Sequence, residues 1–182
     1  MNRICVFSGS SAGVLEEYAH TAASLGRELA RRGIGVVYGG ASIGLMGCVA
    51  DAALEEGGEV IGIIPEALMM KELVHSNLTD LRVVDSMHQR KALMERLSDG
   101  FIALPGGYGT LEEIAEMITW LQLGFHSKPC GLLDVSGYYA HLIGFLDHAV
   151  DQGFLKQKHR DKLLVADTVD GMVRALGEFR LP

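Results

Sequence analysis

The regular alternation of short apolar runs with helix-period stretches constrains this chain more than any other feature. Apolar runs occur at residues 4–7, 34–38, 60–64, 81–84, 101–104, 131–135 and 163–165. Between them lie helical patterns at 15–32, 45–56, 87–97, 114–123, 138–150 and 169–179. In the first of these, Ala19, Ala22, Ala23, Leu25, Leu29 and Ala30 fall on or near one face, and Gly33 supplies a stop signal. Residues 65–80 are less regular and read as a lid or pocket wall. Continuous apolar strands interleaved with helices imply a parallel sheet covered on both faces. Right-handed crossovers then give an α/β, Rossmann-like doubly wound fold, expected as a single domain over residues 1–182. No linker, repeat or low-complexity tract divides the chain.

Ligands in such folds gather at the carboxyl ends of the strands. Three of those ends are rich in glycine. The first strand leads into Ser8-Gly9-Ser10-Ser11-Ala12-Gly13. The second leads into Gly39-Gly40-Ala41-Ser42-Ile43-Gly44-Leu45-Met46-Gly47. The run 101–104 leads into Pro105-Gly106-Gly107-Tyr108-Gly109-Thr110-Leu111-Glu112-Glu113. Tight turns alone explain any one of these loops. Together they predict a ligand rim, with Gly9, Ser10, Gly39, Gly40 and Met46 as additional rim positions. The third loop is the most informative. A strand–glycine loop–helix junction allows close backbone approach and offers unpaired helix amides to a phosphate.

No loop matches a standard nucleotide fingerprint. Gly9 and Gly13 do not form G-x-G-x-x-G, and the second strand lacks an acidic terminus for a dinucleotide ribose. Gly39 and Gly44 have P-loop spacing, but Leu45-Met46 stands where Lys-Ser/Thr is required. ATP hydrolysis and ordinary NAD binding are disfavoured. The formal net charge of −7 argues against a general nucleic-acid surface. No apolar run approaches the ~20 residues of a membrane span. The opening residues reach polar Ser8 too soon for a secretory segment. Cys5, Cys48 and Cys130 are widely spaced and suggest neither a disulfide framework nor a zinc site. A cytoplasmic setting is expected, with no metal and no cofactor.

Two charged groups stand out. Arg90 and Lys91 begin a helix, where the helix dipole is already positive. Solvated surface charge is one reading; compensation by a bound anion is the other. Glu112 and Glu113 are expected in the first turn after the proline–glycine loop. Thr110 and Glu113 also have capping-box spacing, which by itself accounts for them. Thr119 reads as a pocket hydroxyl or a core-edge residue.

With Met87-His88-Gln89-Arg90-Lys91 and the three loops in order, the chain resembles the Lonely guy (LOG) family of cytokinin-activating phosphoribohydrolases. The resemblance implies release of free base and ribose 5-phosphate from nucleoside 5′-monophosphates, namely N6-modified adenosine monophosphates and AMP. It implies Arg90 and Glu113 as the catalytic pair. It implies substrate-binding positions at Glu72, Arg90, Lys91, Gly107, Tyr108, Gly109, Thr110, Leu111, Glu112, Glu113 and Thr119. It also implies a homodimer. The label lysine decarboxylase, often attached to such proteins, is rejected because that chemistry usually needs pyridoxal phosphate on a Schiff-base lysine. The alternative of a different class is a non-catalytic nucleotide or molybdenum-cofactor carrier, which needs the rim but not Arg90 and Glu113.

Overall fold

In the computed structural model, which describes residues 1–69 and 73–180, every strand pair is parallel. The strands are β1 (Arg3–Phe7), β2 (Gly35–Tyr38), β3 (Val60–Pro65), β4 (Asp80–Val84), β5 (Gly100–Ala103), β6 (Cys130–Leu133) and β7 (Leu163–Ala166). Their spatial order is β4-β3-β2-β1-β5-β6-β7. β1, β2, β3, β5 and β6 are almost wholly buried, which is why they read as unbroken apolar runs rather than alternations.

The helices are α1 (Glu16–Arg31), α2 (Gly44–Glu55), α3 (Glu66–Met69), α4 (Met87–Leu97), α5 (Tyr108–Leu123), α6 (Ala140–Asp151), α7 (Gln157–Arg160) and α8 (Val169–Glu178). They divide the core in two. On one face, Leu25 and Leu29 of α1, Leu45, Met46 and Val49 of α2, and Met172 and Leu176 of α8 cover the sheet. On the other, Met94 of α4 and Ile114, Met117 and Leu121 of α5 do so. At about 25 cal/mol per Å² of apolar surface removed from water, these two half-cores supply the main drive to fold.

The short elements α3 and α7 and the 3-10 turn Val135–Gly137 were not anticipated. Val135 leaves the sheet instead of extending β6. Asp134 explains this break: its carboxylate accepts from the Tyr139 N–H at 2.6 Å, turning the chain toward α6.

Chain order reverses between β1 and β5. The loops following these two strands therefore part to opposite sides and leave a crevice, the place where open α/β sheets hold ligands. Their backbones touch at the base. The Gly9 N–H donates to the Pro105 carbonyl at 3.0 Å. A Cβ on Gly106 would stand 2.1 Å from Thr110 Oγ1 and 2.9 Å from Gly9 N. Only glycine permits this seam.

Candidate active site

The crevice is a cleft of about 260 Å³ lined by Ser8, Gly9, Ser10, Met46, Arg90, Gly107, Tyr108, Gly109, Thr110 and Glu113. Each comes from a strand end or a helix start. β1 delivers Ser8, Gly9 and Ser10; α2 delivers Met46; α4 delivers Arg90; and the β5–α5 junction delivers the rest.

Gly107 is the N-cap of α5 and provides no side-chain cap. The first amides of α5 thus face the cleft mouth without an internal acceptor, as anion binding requires. The helix begins at Tyr108, earlier than the 114–123 pattern suggests. Thr110 accordingly sits inside the first turn, and Glu112 and Glu113 lie beyond it. The capping-box reading is corrected: Gly107, not Thr110, caps the helix. Glu113 is buried to 9% exposure and faces the cleft. Tyr139 and Tyr138 brace the loop from behind by donating to the Leu104 and Gly106 carbonyls at 2.6 and 2.5 Å.

Arg90 is 5% exposed. Its helix is capped by Ser86, whose side chain accepts from the Gln89 N–H at 3.2 Å. Arg90 Nη2 donates to the Gly39 carbonyl at 3.1 Å, and Nη1 approaches Met87 Sδ at 3.8 Å. Nε has no partner among the described residues. One donor of this buried guanidinium is thus left unmatched, which is uncommon in folded proteins. Cys5 lies close enough to sense the pair. Burial pushes its thiol well up, the charge of Glu113 adds to this, and the charge of Arg90 opposes it.

Lys91 is placed differently from its neighbour. It does not line the cleft. Its ammonium pairs with Glu112, and with Glu116 at 3.1 Å. Burial disfavours its charge, but hydrogen bonds to these two carboxylates outweigh that and hold its pKa above the usual lysine value. Lys91 therefore ties α4 to α5, the two helices that carry Arg90 and Glu113.

The remaining expected positions divide by location. Gly39 and Gly40 lie under the rim rather than in it. Gly39 seats Arg90, and the Gly40 carbonyl accepts from the His75 N–H at 2.9 Å. Leu111 lines a neighbouring apolar groove with Tyr108, Tyr138 and Leu142. Thr119 is on another face of α5, where its hydroxyl donates to the Ala115 carbonyl at 2.7 Å. Glu72 lies outside the described residues.

Sequence reasoning left two features unassigned. Ser8 opens the first glycine-rich loop but was not among the expected site positions, yet it lines the cleft. The segment starting at Leu73 is latched to the second glycine turn. Both Ser42 N–H and Ser42 Oγ–H donate to the Leu73 carbonyl, at 2.7 and 2.9 Å. His75 anchors the same segment to α2. The Asn77 N–H donates to its Nδ1 at 3.1 Å, so Nε2 carries the proton given to Asp51 at 2.8 Å. The serine in the Gly-rich loop was a visible signal for the first feature; none existed for the second.

A switch-point cleft, a helix start open to an anion and a buried Arg–Glu pair define the class: a Rossmann-like α/β protein built to act on a small anionic ligand. Residues 46–176 match the family described as "possible lysine decarboxylase". The chain is 53% identical over 177 residues to the cytokinin riboside 5′-monophosphate phosphoribohydrolase LOG4 of Arabidopsis thaliana, covering 97% of this chain and 82% of that protein. It is 51% identical over 177 residues to the probable cytokinin riboside 5′-monophosphate phosphoribohydrolase LOGL9 of Oryza sativa subsp. japonica, covering 97% and 78% respectively. The chain belongs to the Lonely guy (LOG) family. The molybdenum cofactor carrier protein of Chlamydomonas reinhardtii has a similar fold, with a TM-score of 0.74 at 24% identity, covering 97% of this chain and 96% of that one.

Proposed function

We propose that the chain hydrolyses the N-glycosidic bond of nucleoside 5′-monophosphates, releasing free base and ribose 5-phosphate. N6-modified adenosine monophosphates, the cytokinin nucleotides, and AMP are the proposed substrates. The observation that carries this reading is the burial of Arg90 and Glu113 in one cleft with the open start of α5. The amides and hydroxyl from Gly107 to Thr110 suit the phosphate. Positive charge develops on the ribose as the bond to the base breaks. A fixed Glu113 carboxylate stabilises that charge where little water competes. Arg90, held by the Gly39 carbonyl, orients the nucleotide and stabilises electron density on the departing base. Water supplies the oxygen at C1′ and the proton that leaves with the base.

Lysine decarboxylation fits the described lysines poorly. Lys91 is held by Glu112 and Glu116, and Lys128 Nζ is held by Glu95 at 2.6 Å. No lysine lines the cleft among the described residues.

A homodimer is part of the same proposal. The apolar surface of α5 extends past its core stripe to exposed Leu111 and Leu123, with Phe125 just beyond, and Phe145 of α6 is exposed too. Thr119, off the cleft in its own subunit, is then available to a partner's site. Free thiols at Cys5, Cys48 and Cys130 suit a reducing cytoplasm.

The test is incubation with a panel of nucleoside monophosphates and their nucleosides, with product identification. The expected result is base plus ribose 5-phosphate from monophosphates, with much lower kcat/KM for nucleosides. Tight binding without turnover across the panel would favour a carrier and overturn the enzyme reading.

A further inference from the structure

We propose that Tyr138 is a positioning residue for phosphate recognition: its hydroxyl fixes the Gly106–Gly107 peptide so that the Gly107 N–H is presented to a ligand phosphate. This rests on the hydrolase reading above, which seats the phosphate on residues 107–110. The loop leading to that seat is tied down carbonyl by carbonyl. The Leu104 carbonyl accepts from the Tyr139 hydroxyl at 2.6 Å, that of Pro105 from the Gly9 N–H at 3.0 Å, and that of Gly106 from the Tyr138 hydroxyl at 2.5 Å. Tyr139 is 5% exposed and belongs to the core, whereas Tyr138 is 41% exposed.

The third peptide has the greatest need of a tie. It joins two glycines, so rotation on either side of it is opposed by no Cβ. A Cβ at Gly107 would meet nothing within 4 Å, so there is also room to turn. A planar trans peptide sets its C=O and N–H in opposite directions. Holding the Gly106 carbonyl on Tyr138 therefore turns the Gly107 N–H away from Tyr138. Tyr138 stands behind the loop, in a hollow with Tyr18 and Leu45, and does not line the cleft; Gly107 borders both. A flipped peptide would aim a carbonyl at the phosphate in place of an amide, and attraction would become repulsion.

The turn that delivers Tyr138 is itself unusual. After β6, Ser136 takes φ 52° and ψ 33°, the left-handed region that residues with a Cβ rarely enter, and Gly137 follows at φ 71°. Ser136 is the one non-glycine residue with positive φ among the described residues. Its hydroxyl donates to Glu17 in the first turn of α1, and Asp134 accepts from the Tyr139 N–H, so the turn is anchored on both sides. The Tyr138 ring stands nearly perpendicular to those of Tyr18 and Tyr139, with centroids 5.8 and 5.1 Å away. Strained backbone persists where its surroundings over-determine it, and it gathers at functional sites. Here it ends on a partly exposed ring whose hydroxyl meets the phosphate loop.

The experiment compares wild type, Tyr138→Phe and Tyr139→Phe by AMP kinetics, thermal melting, and calorimetry with ribose 5-phosphate and with adenosine. Tyr138→Phe should weaken ribose 5-phosphate binding ~10-fold, the scale of one hydrogen bond. KM for AMP should rise by a similar factor with kcat close to wild type, since the phosphate is held alike in the ground and transition states. Adenosine binding and melting temperature should stay near wild type. Tyr139→Phe removes the same atom from a buried tie and should chiefly lower the melting temperature. Equal ribose 5-phosphate affinity in wild type and Tyr138→Phe would overturn the proposal. So would a large fall in the melting temperature of Tyr138→Phe, or equal weakening of ribose 5-phosphate and adenosine, because either marks a structural role. If wild type binds ribose 5-phosphate but cleaves no nucleotide, the hydrolase reading falls and calorimetry alone decides Tyr138. If wild type binds no ribose 5-phosphate, the phosphate seat falls and the role of Tyr138 with it.

Discussion

A single methyl group placed under Arg90 tests how far activity depends on the seat of that side chain. A Cβ at Gly39 would stand 2.4 Å from Arg90 Nη2 and 3.0 Å from Met46 Sδ. Unstrained heavy-atom contacts begin near ~3.5 Å, so the guanidinium must retreat by about 1 Å. Gly39 does not have a positive φ, so alanine fits its backbone. The strain falls on the end of a side chain rather than on the fold. Misplacement of about 1 Å can reduce turnover ~10²-fold. Gly39→Ala is therefore expected to lose ~10²-fold in kcat/KM with AMP while shifting the unfolding free energy by no more than about 1–2 kcal/mol, the usual range for modest overpacking. The control is Gly177→Ala in α8, where a Cβ meets nothing within 4 Å. It should leave activity unchanged and stabilise slightly, by up to ~0.5 kcal/mol. Steady-state kinetics and chemical denaturation measure both quantities. Wild-type kcat/KM in a folded Gly39→Ala protein would refute the idea that the Gly39 seat sets the catalytic position of Arg90.

Glu113→Gln keeps shape but removes charge, and kcat should drop ~10²-fold or more with thermal stability near wild type. A folded variant with normal turnover would leave Glu113 without a chemical role. Lys91→Met should destabilise by about 1–2 kcal/mol by releasing Glu112 and Glu116, allowing for their partial exposure; urea midpoints read this, and a loss confined to KM would argue for direct substrate contact. Burial pushes Cys130 up to about 12 and raises Cys5 as well. A thiol protonated in the fold but ionising near 9.0 when unfolded stabilises fully below that pH and loses this contribution as pH rises toward its folded value. Above pH ~9, each such thiol should lower stability by about 1.4 kcal/mol per pH unit, detectable by denaturation at stepped alkaline pH; a flat profile would contradict it. Light scattering at assay concentration should give at least twice the chain mass, and a fully active monomer would exclude an obligate shared site.

The sheet was legible because its five inner strands are buried on both faces and lack polar interruptions, whereas the edge strands β4 and β7 are partly exposed. The helix 87–97 has its expected ends, and Ser86, a side-chain cap, stands just before it. The start of α5 was misjudged because Gly107 caps through its backbone, which leaves no side-chain signature. That Arg90 and Glu113 share one cleft was implied by the family resemblance and not by the glycine loops. The diversion of Lys91 to Glu112 and Glu116 was implied by neither, since it depends on how α4 and α5 rotate against each other. The Ser42–Leu73 and His75–Asp51 contacts join segments far apart in the chain with no periodic pattern to announce them. Such contacts are decided by tertiary packing alone.

The cleft draws its wall from both halves of the molecule. Met46 belongs to the core beneath α1 and α2, whereas Arg90 and Glu113 project from helices packed over the opposite face of the sheet. A molecule gripped there acts as a clamp between the layers on the two faces of the sheet. Its binding free energy is thereby added to the cooperative unfolding of the entire domain, about 2.7 kcal/mol at a concentration 100-fold above Kd. Melting temperature thus becomes a direct assay of occupancy. It can rank unreactive nucleotide analogues by affinity where catalysis gives no signal.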